Sequence, residues 1–332
     1  MSNNIAKRWR VLSGEKEWEG GLRQRDPYKY EVTNFIYAAY GEDASDKIFK
    51  TSESPEAVAK GSNCIGYLAV ATDEGKTVLG RKDILVVLRG SMLSGDWNTD
   101  FTFELVSAKD MLGSTNNPMV HKGWYSLYTA TNTTSLNRTS AQDQVFAEVK
   151  KLVAKYQNEE ISITVTGHSM GAALATLNAV DLAYNKTKVL STSKPNKNNV
   201  PVTAYVFTSP RVGDKGFGSV FSELSNSANA ANLNILRIDE LLDVVPQNPL
   251  QLNGQLLLLT VLKSPYVKSF LLLIVTRKWL PLHNLELHLH GVAGTQRVFG
   301  GFELEIDRDL VLMNKVGGLC QGWIYDCYNL VD

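Results

Sequence analysis

Residues 161–183 read ISITVTGHSMGAALATLNAVDLA, and the fold turns on how this stretch is divided. Ile161, Ile163 and Val165 alternate with Ser162, Thr164 and Thr166, the period-two pattern of a strand rich in β-branched residues. From Ala172 the period changes. Ala172, Ala173, Leu174, Ala175, Leu177 and Ala179 are good helix formers that present a broad apolar face. Gly-His-Ser-Met-Gly at 167–171 therefore falls where a strand turns sharply into a helix, the setting a nucleophile elbow requires. Gly167 and Gly171 flank Ser169 at −2 and +2, where side chains would collide in so tight a turn. The competing reading is an ordinary strand-to-helix turn of small residues. The change of period on either side favours the elbow.

Composition limits what such a chain can be. Its 332 residues suffice for one or two domains with a large core. Apolar residues are 44% and charged residues 20%, a globular composition rather than a disordered one. A formal net charge of zero lacks the basic footprint of a nucleic-acid binder. Cys64, Cys320 and Cys327 are odd in number and form no C-x-x-C pair, which suits a reducing compartment better than a disulfide framework. The start, MSNNIAKRWRVLSGEKEWEG, has no apolar leader core, and the expected location is cytoplasmic. SFLLLIVT at 269–276 is too short to cross a bilayer and runs into Arg277 and Lys278. The sequons at Asn132, Asn137 and Asn185 read as polar loop sequence.

No internal repeat is apparent. Ile65–Ala71 and Asp83–Arg89 read as strands joined by a polar turn with Asp73, Gly75 and Lys76. A loop over about 107–120 leads to His121. QDQVFAEVKKLVAKYQ carries apolar residues at helical spacing, with Ser140 or Thr139 as its cap. Further strands are predicted over Val202–Thr208 and Ile235–Ile238, and a helix over Asp214–Ser225. Strands alternating with helices predict an α/β fold with a mainly parallel sheet and helices on both faces. Residues 1–64 read as an N-terminal segment packing on the core and 65–332 as the main domain.

A serine hydroxyl needs a base and an orienting acid before it becomes a nucleophile. On an α/β-hydrolase sheet these follow the serine in the order acid, histidine. Of the five histidines, His121 precedes the serine, and His168 lies inside the elbow, pointing away from its neighbour. His283, His288 and His290 remain. His283 ends an irregular stretch where a loop can aim it at Ser169; the other two read as surface or packing residues. The acid comes from ILRIDELLDVVPQNP, which offers Asp239, Glu240 and Asp243 just beyond a strand end. Asp243 is preferred, being further out and followed by Val-Val-Pro, which fixes an extended departure. The oxyanion requires two amides, from Met170 and from Ser91, where Gly90 permits the turn. Met92, Leu93 and Trp97 mix with flexible residues as a lid over an acyl groove would; a plain surface loop fits as well.

GHSMGAALATLNAVD, LRGS, SPRVGD, LLDVVP and HNLE…LHGVAGTQ occur in order. With this set the sequence resembles the class 3 lipases and, within them, the plant class II phospholipases A1. The resemblance runs from IAKRWRVLSG to NKVGGL. It implies an α/β-hydrolase fold and hydrolysis of the sn-1 acyl ester of phospholipids without metal or cofactor. It further implies a cytosolic home and, for a lipid substrate, transient contact with a membrane surface. Carried over, the nucleophile is Ser169, the acid Asp243 and the base His283; Ser91 falls on the oxyanion position and Trp97 in the lid. The chain departs from the pattern between Asp243 and His283: Val244–Leu285 holds no Asp or Glu but has Lys263, Lys268, Arg277 and Lys278. That departure motivates two further readings: a non-catalytic scaffold binding a lipid or small ligand, and a general carboxylesterase.

Overall fold

The computed structural model describes residues 29–39, 62–90, 104–133, 137–189, 200–226, 233–239, 243, 245–247, 283 and 285. Six strands build the central sheet in the order β1-β2-β3-β6-β7-β8. They are β1 (Tyr30–Ala39), β2 (Ser62–Ala71), β3 (Lys82–Leu88), β6 (Ile161–His168), β7 (Val202–Phe207) and β8 (Leu233–Ile238). The last four run parallel, and β1 and β2 extend one side antiparallel. This is the α/β-hydrolase arrangement. The register aligns Leu88 with Gly167, Gly167 with Val206, and Phe207 with Ile238. The four parallel strands thus end together, and the loops that leave them meet at one edge.

β1 shows that the segment set apart as 1–64 contributes a strand to this sheet, and β2 runs across the boundary at 64. The stretch with Asp73, Gly75 and Lys76 is not a turn but helix α1 (Asp73–Leu79), capped by Thr72, whose hydroxyl accepts from the Gly75 amide at 3.0 Å. The supposed loop over 107–120 holds the short helix α2 (Lys109–Leu112) and ends in a two-stranded ribbon, β4 (Leu105–Ser107) with β5 (Met119–His121). Cys64 is disulfide-bonded, where the cysteine count favours a reducing compartment over a disulfide framework.

Helices α3 (Lys122–Thr129), α4 (Ala141–Lys155) and α5 (Met170–Tyr184) pack beside the sheet, followed by α6 (Lys186–Val189) and α7 (Lys215–Asn226). Ser140 caps α4 by accepting from the Asp143 amide at 3.0 Å. In α5 every residue but Thr176 and Tyr184 is buried, as expected of a helix that is apolar on nearly all sides. Its two buried polar residues join one network, in which Asn178 Oδ1 accepts no hydrogen bond from a described residue. Asp181 accepts from Tyr128 Oη (2.9 Å), Gln142 Nε2 (2.7 Å) and Asn185 Nδ2 (2.7 Å), and Asn178 Nδ2 donates to Tyr128 Oη (2.8 Å). Asn185, the sequon residue, also donates to the Met111 carbonyl, so its amide belongs to the interior. Burial still outweighs these bonds and pushes the Asp181 carboxyl up to about 6.

Two polar alternates of β6 turn to a buried acid. Ser162 and Thr164 donate to Oδ1 of buried Asp83, and Tyr30 donates to its Oδ2 at 2.9 Å. Three hydroxyls from β1 and β6 therefore satisfy one carboxylate on β3. Burial raises this carboxyl as well. The cluster lies at the start of β3, far along the strand from the end where the parallel loops converge.

Candidate active site

Ser169 leaves β6 with φ 59° and ψ −127°, a conformation costly for any residue with a Cβ and concentrated at functional sites. Three glycines permit it by close approach. A Cβ on Gly167 would stand 2.3 Å from the Gly171 carbonyl oxygen, and one on Gly171 would stand 2.2 Å from that of Leu88. A Cβ on Gly90 would come within 2.8 Å of the His168 carbonyl and 3.3 Å of the Ser169 Cβ. The loop after β3 is thus pressed against the elbow, and the Ser169 amide is anchored to Phe207 O at 3.0 Å. A second positive φ, 46° at Thr208, follows directly at the end of β7. Its hydroxyl is buried and has no hydrogen-bond partner among the described residues. Backbone strain therefore gathers where the strands end.

Met170 opens α5 immediately after the serine and is fully buried. Its N–H belongs to the first turn, where the helix dipole favours developing negative charge. The loop that carries the second expected donor is held from β2. The Arg89 amide donates to Ile65 O at 2.8 Å and its Nε to Cys64 O at 2.6 Å. Ser91, Met92, Leu93 and Trp97 lie outside the described residues.

Asp243 and His283 meet. His283 Nδ1 lies 2.6 Å from Asp243 Oδ2, with the Asp243 side chain completely buried. The other carboxylate oxygen, Oδ1, accepts from the Val245 amide at 2.9 Å. An ionised carboxylate can only accept, so this pairing puts the proton on Nδ1 and makes Nε2 the basic nitrogen. Asp239, the nearer alternative, is taken up otherwise: its Oδ2 accepts from Arg237 Nε at 2.6 Å. Burial raises the Asp239 carboxyl, an effect opposed by Arg237. Glu240, His288 and His290 lie outside the described residues.

Two contributing residues escaped the sequence reading. His168 does not merely point away from the serine: its ring packs on His283, centroids 4.6 Å apart and planes inclined by 36°. Arg237, a charged residue within an apolar strand, ties the acid's loop in place. Its Nη2 donates to Ser209 O at 2.7 Å and to Pro246 O at 3.0 Å, joining the loops after β7 and β8. Its only signal was an arginine among ILRI. His121 is likewise structural: Nδ1 accepts from the Gly123 amide (3.1 Å), capping α3, and the ring stacks on Trp124. Burial drives His121 down to about 4. Among the described residues, no cluster of His, Cys, Asp or Glu is arranged to hold a metal ion, and no helix is long and apolar enough to cross a membrane.

The largely parallel sheet, with Ser169 strained in the turn from β6 to α5, defines an α/β-hydrolase fold. The chain belongs to the class 3 lipase family: Lipase (class 3) matches residues 85–253. It stands with the plant class II phospholipases A1. Phospholipase A1-IIalpha of Arabidopsis thaliana is 36% identical over 95% of this chain and 85% of its own length. Phospholipase A1-II 6 of Oryza sativa subsp. japonica is 43% identical over 96% and 89%. Among solved structures, the Rhizomucor miehei triacylglyceride lipase is similar at 23% identity and a TM-score of 0.45, covering 76% of each chain.

Proposed function

We propose that the protein hydrolyses the sn-1 acyl ester of phospholipids through Ser169, His283 and Asp243. The observation that carries this reading is the 2.6 Å Asp243–His283 pair, at the sheet edge where Ser169 is held strained. His283 Nε2 takes the Ser169 proton as Oγ attacks the ester carbonyl, and Asp243 stabilises the imidazolium that forms. The Met170 and Ser91 amides stabilise the tetrahedral oxyanion. The imidazolium then protonates the departing lysophospholipid alkoxide, leaving the fatty acyl group on Ser169. Water, deprotonated by His283, attacks the acyl-enzyme and releases the fatty acid. Met92, Leu93 and Trp97 are assigned to the lid and acyl groove, which brings the site against a membrane surface during turnover. The sn-1 preference rests on the naming of the relatives as phospholipases A1.

Fluorophosphonate labelling of the purified protein tests the serine, with Ser169→Ala and His283→Ala as controls. Labelling lost in both variants supports the triad; no labelling of folded wild type overturns it and promotes a ligand-binding scaffold. Product analysis on phospholipid with distinct sn-1 and sn-2 chains tests the regiochemistry. Release of the sn-2 chain alone refutes the A1 assignment.

A further inference from the structure

We propose that His168 is a positioning residue for the catalytic base: its ring is the surface that fixes the plane of His283. The proposal rests on the reading of Ser169, His283 and Asp243 as a triad.

A single hydrogen bond holds His283 to Asp243 through Nδ1. Such a bond places one nitrogen, and small changes in χ1, χ2 and the backbone of His283 still tilt the ring about it. Such a tilt sweeps Nε2, the atom that must face Ser169 Oγ. A second support against the ring face removes it, and His168 supplies one at 4.6 Å, within the range of aromatic packing.

The supporting ring is itself anchored. His168 is the last residue of β6, in register with Phe207 of β7. Its carbonyl sits against Gly90 so closely that a Cβ there would stand 2.8 Å away. The next residue is the nucleophile, held to Phe207 O by its own amide. Serine and ring support thus share one stretch of rigid backbone. The residue that carries the nucleophile and the residue that packs on the base are consecutive in the chain. This assigns a task to the second residue of the G-x-S-x-G pattern, which the chemistry of attack leaves unused.

The test measures steady-state kinetics and fluorophosphonate labelling rates of wild type, His168→Ala, His168→Leu and His168→Phe, each with its Tm. Loss of the flat face is expected to lower kcat by about 10- to 100-fold, the scale of an ångström-level misplacement, with KM little changed. Leucine fills the volume without a planar face and should behave as alanine does. Phenylalanine restores the face and should recover most of kcat, which a merely structural role would not predict once Tm values match. Should alanine not fold, the leucine and phenylalanine pair decides. Equal kcat in those two, or an alanine variant within about twofold of wild type, overturns the proposal. Wild type that neither labels nor hydrolyses would instead defeat the triad reading on which it rests.

Discussion

Asp181 ties three helices together from the last turn of α5, and its substitution should change the pH dependence of stability in a calculable way. The carboxyl is raised from 3.8 to about 6, worth about 3 kcal/mol between the protonation states. Because the folded value lies above the unfolded one, that stability is fully present below pH 3.8 and is lost as pH rises through about 6. Between these limits, at pH 5, about 1.4 kcal/mol is still present, and at pH 7.5 almost none. His121 works in the opposite direction. Its folded value is depressed from 6.5 to about 4, so its contribution is complete above pH 6.5 and about 2 kcal/mol of it is gone at pH 5. The two slopes nearly cancel, and wild type alone would conceal both. The perturbation is therefore Asp181→Asn, read as a difference. Asparagine keeps one acceptor for Tyr128 and Gln142 but turns a donor toward Asn185, which must flip and give up the Met111 carbonyl. That cost, about 1–3 kcal/mol, does not vary with pH. Urea unfolding of both proteins at pH 5, 6, 7 and 7.5 should show the variant's deficit shrinking by about 1.4 kcal/mol toward pH 7.5. A deficit that is constant, or grows with pH, refutes the account of Asp181 as a carboxyl raised by burial.

His121→Asn keeps a side-chain acceptor at the α3 cap, where asparagine is favoured, while removing the buried imidazole. Its stability should fall less than that of wild type between pH 6.5 and 5, by about 1.6 kcal/mol, read from the same urea series. Asp243→Asn should leave the Tm close to wild type but lower kcat by about 10⁴-fold, because the amide favours the wrong imidazole tautomer; a loss below tenfold would refute the role. Arg237→Met breaks the buried pair with Asp239 and frees two loop carbonyls. It should cost about 3–5 kcal/mol in chemical unfolding and lower kcat in the protein that remains folded. Unchanged kcat would show that the Asp243 loop does not depend on this tie.

The parts of the fold written as local periodicity were legible. The strand-to-helix switch at 161–183, the apolar strands at 84–88 and 202–207, and the α4 cap at Ser140 all follow from short-range chemistry. In the sequence Asp243 stands further beyond the strand end than Asp239, and in the structure Asp239 accepts from Arg237 while Asp243 lies beside His283. Helix α1 was not legible, because Gly75 argues against a helix. Its reason is tertiary: a Cβ there would stand 2.1 Å from the Lys29 carbonyl oxygen, so glycine admits the approach of the chain entering β1. The ribbon of β4 and β5 was hidden by the Ser, Asn and Pro of the segment between them, since pairing across such a gap leaves no local period. His168 was hidden for a different reason: a ring contact over more than a hundred residues of sequence carries no spacing signal.

Gly90 lies in the loop after β3 and Gly167 and Gly171 in the elbow, yet each excludes a Cβ because backbone of another residue of these two segments stands within 3 Å. No side chain can be trimmed nearby to make room, so a loss at one position has no local suppressor. Reactivity and assembly of the sheet edge are consequently inseparable at these sites, and variants there cannot distinguish an inactive enzyme from a misassembled one. Ser169, Asp243 and His283 are different, since each can be exchanged for an isostere without moving a strand. Genetic dissection of this protein should therefore treat the glycines as one indivisible unit, and look to the side chains alone for separable functions.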